Sequence, residues 1–282
     1  MIVKILYLMS FFLCASPIVF AHDLSLQQPA ESDAPLEIFA DETEWDRETN
    51  RVIARGNAVL RKNNDQITAS EVIGYLEEKD GKRHLTKAEA FVNVVIKTPT
   101  NEVKGEKGTY FTETGYMIME GPQIVLTSSK NETLTTHTML EYWDLEKKAI
   151  AKNPVVIISD NKIIKGNQLT AYFAENPETK KSQLSRADLV GNVDIVTPTQ
   201  TAIGDKGVYT PLQDLAVLEG NVTLTQDGNV LKGEWCQANL ATGHNILRNA
   251  LPGAEKGAKP VYALLMPKSK TLQNTPAKKK AP

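Results

Sequence analysis

The chain has 282 residues, of which 41% are hydrophobic, 23% charged and 6% aromatic. The apolar fraction supports a packed core and excludes a wholly disordered chain, while the formal net charge of -2 argues against nucleic acid as the main partner. Two cysteines exclude a disulfide-stapled scaffold, and the four histidines have no metal-ligand spacing.

Residues 1–21 predict a secretory signal peptide. Lys4 provides a short positive region, Ile5 to Leu13 form an apolar stretch, and Val19-Phe20-Ala21 fits the small-residue cleavage rule. An uncleaved anchor helix is the alternative, but Pro17 and the cleavage site favour removal. Residues 22–35 are then a flexible N-terminal segment. Cleavage leaves Cys236 as the one thiol, which we interpret as a buried apolar side chain and not as a nucleophile.

A repeat organises residues 36–253. Its mark is Gly-Asn followed by β-branched residues, which predicts a strand with period-2 alternation and one buried face. The copies, three of them degenerate, begin at Gly56, Val92, Gly121, Asn153, Gly191 and Gly220. A second mark is an aromatic residue upstream of each copy, namely Trp45, Tyr75, Tyr110, Tyr142, Tyr172 and Tyr209. Turn formers follow each copy after about seven residues, for example Asn63-Asn64 and Asp227-Gly228.

These marks predict an all-β fold. One repeat is strand, tight turn, strand, polar loop and strand, and a unit of that size buries its apolar face only by stacking on its neighbours. We therefore expect an elongated open β-jelly-roll built from about six stacked repeats, with two facing sheets and unpaired strand edges at both ends.

Residues 254–282 predict a flexible Lys/Pro-rich tail. They hold seven Lys against one Glu, and they end in Ala-Lys-Lys-Lys-Ala-Pro. The apolar run Val261 to Met266 is the one part of this tail that could dock as a last strand.

The segments Leu36-Glu37-Ile38-Phe39-Ala40-Asp41, Trp45-Asp46 and Val52 to Leu60 resemble the OstA-like (LptA) family of periplasmic lipopolysaccharide-transport proteins, and the repeat extends this likeness over residues 36–240. The resemblance implies an open β-jelly-roll with an apolar groove for lipopolysaccharide (lipid A) acyl chains. It implies head-to-tail homo-oligomers between an LptC-like inner-membrane protein and an LptD-like outer-membrane translocon. It implies no cofactor and no enzyme activity.

Ten of the twelve residues that lie two and four positions after each Gly slot, all of them Val, Ile or Leu, are expected to line the lipid-binding groove. They are Leu60, Val94, Ile96, Val125, Val155, Ile157, Val193, Ile195, Val222 and Leu224. The alternative is that these side chains pack against each other as a closed core. The strand that contains Ile38 and Phe39 is the predicted self-association edge.

Three other classes of protein stay open. The chain is longer than typical family members and has the Lys-rich tail, so an LptC-like protein or the amino-terminal domain of the translocon is an alternative. A structural or carbohydrate-binding β-solenoid is a second. A β-helix polysaccharide lyase or hydrolase is disfavoured, because only Asp194 stands at the exposed middle position of the Gly-Asn strands. No catalytic motif was found.

Overall fold

The structure is a computed structural model that describes residues 36–79, 81–129, 132–159, 161–178, 182–239, 242, 244–253 and 260–266. The predicted signal peptide (1–21), the segment 22–35 and most of the predicted tail (254–259 and 267–282) lie outside the described residues. Among the residues described, no helix is long and apolar enough to cross a membrane.

The described residues form β-strands almost throughout, which confirms the all-β prediction of a stacked β-jelly-roll. One turn of 3-10 helix, Pro211–Gln213, lies between β14 and β15. The strands are β1 Glu37–Phe39, β2 Glu42–Asp46, β3 Arg51–Lys62, β4 Asp65–Lys79, β5 Lys82–Lys97, β6 Asn101–Phe111, β7 Tyr116–Glu120, β8 Ile124–Ser128, β9 Thr133–Thr136, β10 Met139–Trp143, β11 Lys148–Ser159, β12 Lys162–Glu175, β13 Ser182–Val196, β14 Gln200–Thr210, β15 Leu215–Gln226, β16 Asn229–Asn239, β17 Asn245–Arg248 and β18 Tyr262–Leu264.

All pairings are antiparallel, and together they make one hydrogen-bonded sheet. The long strands pair with their neighbours in sequence, so the sheet grows along the stack by one strand at a time. Short strands occur in pairs that share one long neighbour. β1 and β2 both pair with β3, β7 and β8 with β6, β10 and β9 with β11, and β17 and β18 with β16.

The long strands bend at a corner, and the corner divides the sheet into two walls. The register between β3 and β4 shifts between Arg55 and Ala58, and β15 and β16 show the same shift between Glu219 and Val222. Such bulges bend a strand sharply. We call wall A the side that contains β2, β7, β10 and β17, and wall B the side that contains β1, β8, β9 and β18. The long strands pass through both walls.

The recurring Gly-Asn pairs form these corners. Gly220 has a φ of 74° and Asn221 a φ of 50°, a left-handed conformation that glycine and asparagine adopt most easily. The amide Nδ2 of Asn221 donates to Asp205 Oδ2 of the neighbouring strand at 2.8 Å. Asn57 donates to Asp41 Oδ2 in the same way at 2.9 Å. The Gly-Asn pair therefore does not begin a strand, as the sequence pattern predicted, but bends one that has already started.

The inner faces of the two walls pack against each other and form the core. A cavity between β4, β5, β6 and β7 is lined by Ile67 and Ile96 from wall B and by Val72 and Ala90 from wall A. The two facing sheets of the sequence prediction are thus two halves of one bent sheet.

Two connections differ from the predicted ones. The repeat predicts a polar loop after Tyr75, which in the sequence corresponds to the charged residues 77–83. In the structure Glu77 pairs with His84 and Glu78 with Arg83, so β4 and β5 continue into a long hairpin. Within the predicted tail, Tyr262–Leu264 forms β18 and pairs with β16 through Val230, Leu231 and Lys232. The last apolar run of the chain therefore extends wall B by one strand.

Candidate functional site

A continuous row of aliphatic side chains runs along the inner face of wall B. Residues paired directly across neighbouring strands place their side chains on the same face of the sheet, so the strand register defines the row. Its members are Ile38, Leu60, Ile67, Ile96, Val103, Leu126, Leu134, Ile157, Ile164, Ile195, Ala202, Leu224, Leu231 and Ala263. We call it the aliphatic row. It contains no polar or aromatic residue, and it extends from the first described strand to the last.

The inner face of wall A has many small residues, interspersed with Leu, Met and Tyr. One row along it contains Ala54, Val72, Ala90, Gly108, Met119, Leu140, Ala151, Leu169, Leu189, Gly207, Leu218, Cys236 and Leu247. A second row lies farther from the corner and contains Val52, Gly74, Ala88, Tyr110, Met117, Tyr142, Ala149, Ala171, Ala187, Tyr209, Ala216 and Ala238. Small side chains on wall A leave space for the larger aliphatics of wall B.

Nine of the ten predicted groove residues lie on the inner face of wall B. Leu60, Ile96, Ile157, Ile195 and Leu224 belong to the aliphatic row. Val94, Val155, Val193 and Val222 lie nearer the corner and are at most 1% exposed. Each of these valines pairs with a glycine, Gly105, Gly166, Gly204 or Gly233.

The tenth predicted residue, Val125, lies on the outer face. Its neighbours Ile124 and Leu126 are buried, whereas Val125 is partly exposed and pairs with Lys104 and Thr135. The Gly121-Pro122-Gln123 segment separates β7 from β8. In this copy the inner residues therefore lie three and five positions after the Gly slot, and not two and four as in the other copies. The inner positions of this copy are Ile124 and Leu126.

The alternation after each Gly-Asn pair identified five of the fourteen residues of the aliphatic row and missed the other nine. Most of the missed residues lie on strands after the tight turns, such as Ile67, Ile164 and Leu231. The sequence did contain a signal for these residues, because two strands joined by a tight turn pair residue by residue. An inner residue on the first strand therefore predicts an inner residue on the second. Leu60 and Ile67 lie on either side of the Asn63-Asn64 turn and pair directly.

Two small cavities lie between the walls in the described part of the chain. One cavity of about 20 Å³ lies between the walls near Tyr110 and Met117. A second, of about 30 Å³, lies among Leu126, Leu134, Leu140 and Phe173. Each has room for about one water-sized group. At these two places the walls pack closely against each other, and the lipid-binding groove stays a prediction.

The repeated aromatic residues occupy two different environments. Tyr110, Tyr142 and Tyr209 point into the interior from wall A, whereas Tyr75 and Tyr172 pair with Arg51 and Lys148 on its outer face. Burial, together with the nearby Asp144 carboxylate, raises the pKa of Tyr110 to about 12. In the sequence, Tyr110, Tyr142 and Tyr209 lie 11 residues before their copies of the Gly-Asn mark, whereas Tyr75 and Tyr172 lie 17 and 19 residues before theirs, so the two spacings correspond to the two environments.

Cys236 is a buried member of the first inner row of wall A. It pairs with Leu218 and Leu247, and burial raises the pKa of its thiol to about 11. A thiol of this kind stays protonated at neutral pH and is unreactive. This agrees with its interpretation as an apolar core residue.

The buried carboxylate of Glu132 is held by hydrogen bonds. Glu132 is buried at the start of β9, where Ser159 Oγ donates to its Oε1 at 2.8 Å and Ser128 Oγ donates to its Oε2 at 3.3 Å. Among the described residues, no group of three or more His, Cys, Asp or Glu is placed to hold a metal ion.

Both predicted self-association residues lie in the edge strand β1. Ile38 is the first member of the aliphatic row and is 37% exposed, while Phe39 points to the outer face and has Arg61 stacked on its ring. Only β3 pairs with β1 within the described chain. The outer side of β1 is therefore an unpaired edge in the single chain.

Comparison with known proteins relates the chain to one family. The sequence model for "LptA/(LptD N-terminal domain) LPS transport protein" matches residues 37–140 and again residues 138–244. No curated protein matches the chain. Among solved structures, one similar chain is LptH, the LptA homologous periplasmic component of the conserved lipopolysaccharide transport device from Pseudomonas aeruginosa. It has 13% identity, and the alignment covers 85% of this chain and 100% of that one. The TM-score of 0.22 is too low to support an argument.

Proposed function

Because this chain belongs to the LptA/LptD N-terminal domain family of lipopolysaccharide transport proteins, we propose that it is a periplasmic, non-enzymatic bridge that carries lipopolysaccharide from the inner to the outer membrane. The lipid A acyl chains lie along the aliphatic row while the walls are parted, and the sugars stay outside. The observation that carries this proposal is the row itself, which is unbroken from Ile38 to Ala263.

The energetics favour acyl chains as the occupants. Burying a lipid chain is worth about 0.8 kcal/mol per CH₂, and a row of branched aliphatic side chains provides apolar contact without a fixed shape. Parting the walls costs the contacts that close the interior now. A ligand that brings several acyl chains offsets that cost, whereas a small apolar molecule does not.

The partners follow from the same proposal. Copies of the chain associate head to tail through the β1 edge with Ile38 and Phe39. An LptC-like inner-membrane protein and an LptD-like translocon bind the two ends of the stack. The signal peptide at residues 1–21 directs export, so N-terminal sequencing of the exported protein should begin at His22. A sequence that begins at Met1 would contradict cleavage.

A matched pair of substitutions tests the function. Ile195→Gln places a polar side chain in the aliphatic row, and Ile203→Gln makes the same change at an exposed outer-face position on the neighbouring strand. In cells depleted of the natural protein, Ile203→Gln should restore lipopolysaccharide delivery to the outer membrane. Ile195→Gln should leave lipopolysaccharide in the inner membrane. Equal delivery by the two variants, at equal protein levels, would count against the interior as the lipid path.

A further inference from the structure

An exposed apolar patch lies at the C-terminal end of wall B. Side chains alternate along β18, so Ala263 joins the aliphatic row on the inner face while Tyr262 and Leu264 lie on the outer face. Tyr262 is 51% exposed and Leu264 43%. Two residues farther on, Met266 is 55% exposed, and its backbone N–H donates to Asn229 Oδ1 at 2.8 Å. We call Tyr262, Leu264 and Met266 the C-terminal patch.

The C-terminal patch stays uncovered when the sheet is extended. Tyr262 pairs with Lys232 and Leu264 with Val230 of β16. A further strand at the edge of β18 would bond to its backbone and lengthen the sheet sideways, so it would not cover the outer face. Exposed apolar side chains that are grouped in this way mark an interaction surface. The partner of this surface therefore meets the outer face and is not another strand of the sheet.

Lysines follow the C-terminal patch directly in the sequence. Residues 267–282 hold five Lys and no acidic residue. Lys268 and Lys270 come two and four residues after Met266, so the length of the chain alone keeps them within about 15 Å of it. Apolar contact and positive charge are therefore available at the same place, and an anionic partner is favoured.

The charges around the patch also separate one anionic partner from another copy of the chain. Lys232 is exposed beside Tyr262 on the outer face. Asp227 at the tip of the β15–β16 hairpin and Glu255 before β18 offset part of the positive charge, but the lysines outnumber them. Two copies would bring the same positive charge together, and like charges repel. A layer of anionic phospholipid instead offers negative headgroups above an apolar phase.

We propose that the C-terminal patch docks onto the surface of an anionic phospholipid membrane. The three side chains of the patch then lie at the boundary between headgroups and acyl chains, where tyrosine is common, and the lysines contact the lipid phosphates. Apolar side chains or a basic segment alone bind a membrane weakly, whereas the two together hold a protein there. This contact is separate from the proposed lipopolysaccharide path, because it uses the outer face of wall B and the path uses the inner face.

Vesicle sedimentation tests the part that charge plays. The purified exported protein should sediment with vesicles of phosphatidylglycerol and phosphatidylethanolamine, and hardly with vesicles of phosphatidylcholine. Raising the salt from about 0.1 to about 1 M should release it, because the Debye length falls from about 10 to about 3 Å. Lys268→Gln/Lys270→Gln should weaken binding about 25-fold, since each lysine near an anionic surface strengthens it about fivefold. Equal binding to both kinds of vesicle would overturn the proposal.

A matched pair of substitutions tests the apolar contact. Leu264→Ser removes a leucine from the patch, and Leu145→Ser removes one that is 67% exposed in the turn between β10 and β11. Leu264→Ser should weaken binding to the phosphatidylglycerol vesicles about tenfold, and Leu145→Ser should leave it unchanged. Equal binding by the two variants would refute the patch as the docking surface. If the natural chain failed to bind anionic vesicles at all, the membrane would be the wrong partner and a protein would take its place.

Failure of this contact is distinguishable from failure of the lipid path. Ile195→Gln, which should leave lipopolysaccharide in the inner membrane, should bind the anionic vesicles as tightly as the natural chain does. Loss of vesicle binding by Ile195→Gln would contradict the separation of the two surfaces.

Discussion

Glycine and asparagine at the corners give the sheet its bend. At Gly220, an added Cβ would overlap the Asp205 carboxylate, which at the same time accepts the amide of Asn221. Gly56 and Asp41 show the same arrangement at the first corner. The recurring Gly-Asn pair is therefore required by a positive φ and by close approach to the next strand. These two requirements together explain why it is the clearest repeat in the sequence.

Substitution of a corner glycine should be more costly than substitution of a turn glycine with a similar φ. Gly81 has a φ of 71° and nothing within 4 Å of its added Cβ, so Gly81→Ala should lower the free energy of unfolding by about 1 kcal/mol. Gly220→Ala should lower it by about 2 to 4 kcal/mol, because Asp205 must also move. Urea denaturation of the two variants measures the difference, and equal losses would contradict this account of the corner.

Tyr110 should make stability fall at high pH. Its pKa is raised from 10.0 to about 12 by burial and by Asp144. The folded chain therefore holds the phenol proton more tightly than the unfolded chain does, and this contribution is complete below about pH 10 and lost as the pH rises through about 12. Tyr110→Phe should show a shallower fall of the free energy of unfolding over that window. If the free energy of unfolding of Tyr110→Phe fell with pH as steeply as that of the natural chain, other groups would cause the loss of stability.

At the scale of elements, the tight turns and the alternation of the sequence predicted which strands exist and which face of most of them is buried. They could not predict where a strand crosses the corner, because bulges change the count by one residue. Val125 is the residue whose face was predicted wrongly. At this point two separate short strands, β7 and β8, take the place of one long bent strand. The missed inner residues Ile67, Ile164 and Leu231 lie on returning strands whose pattern follows from strand pairing and not from the repeat.

The assignment of faces in β8 is directly testable. Leu126 is 5% exposed and packs in the interior, whereas Val125 lies outside. Leu126→Ala should reduce the free energy of unfolding by about 2 to 5 kcal/mol, as expected for a buried leucine. Val125→Ala should change it by less than about 1 kcal/mol. A larger loss of stability for Val125→Ala than for Leu126→Ala in urea denaturation would show that Val125, and not Leu126, faces the interior.

At the scale of the whole molecule, the stack is two family units joined end to end, and one apolar strip passes through both. The all-β fold followed from the repeat, because a short unit buries its apolar face only against its neighbours. The close packing of the two walls around Ala90 and Ala151 did not follow from it, since the sequence does not show which residues of one wall face the other. In the lipid path proposed above, this packing makes wall separation the step that admits an acyl chain.

Site-specific photo-crosslinking in cells tests this most directly. A photoreactive residue would replace Ile67, Ile195 or Leu231 in the aliphatic row, or the adjacent outer-face residues Thr68, Asp194 or Lys232. The account predicts that all three inner positions, spread along the stack, capture lipopolysaccharide and that their outer neighbours do not. Capture at the outer positions alone, or equally at both sets, would contradict the interior between the two walls as the path of the lipid.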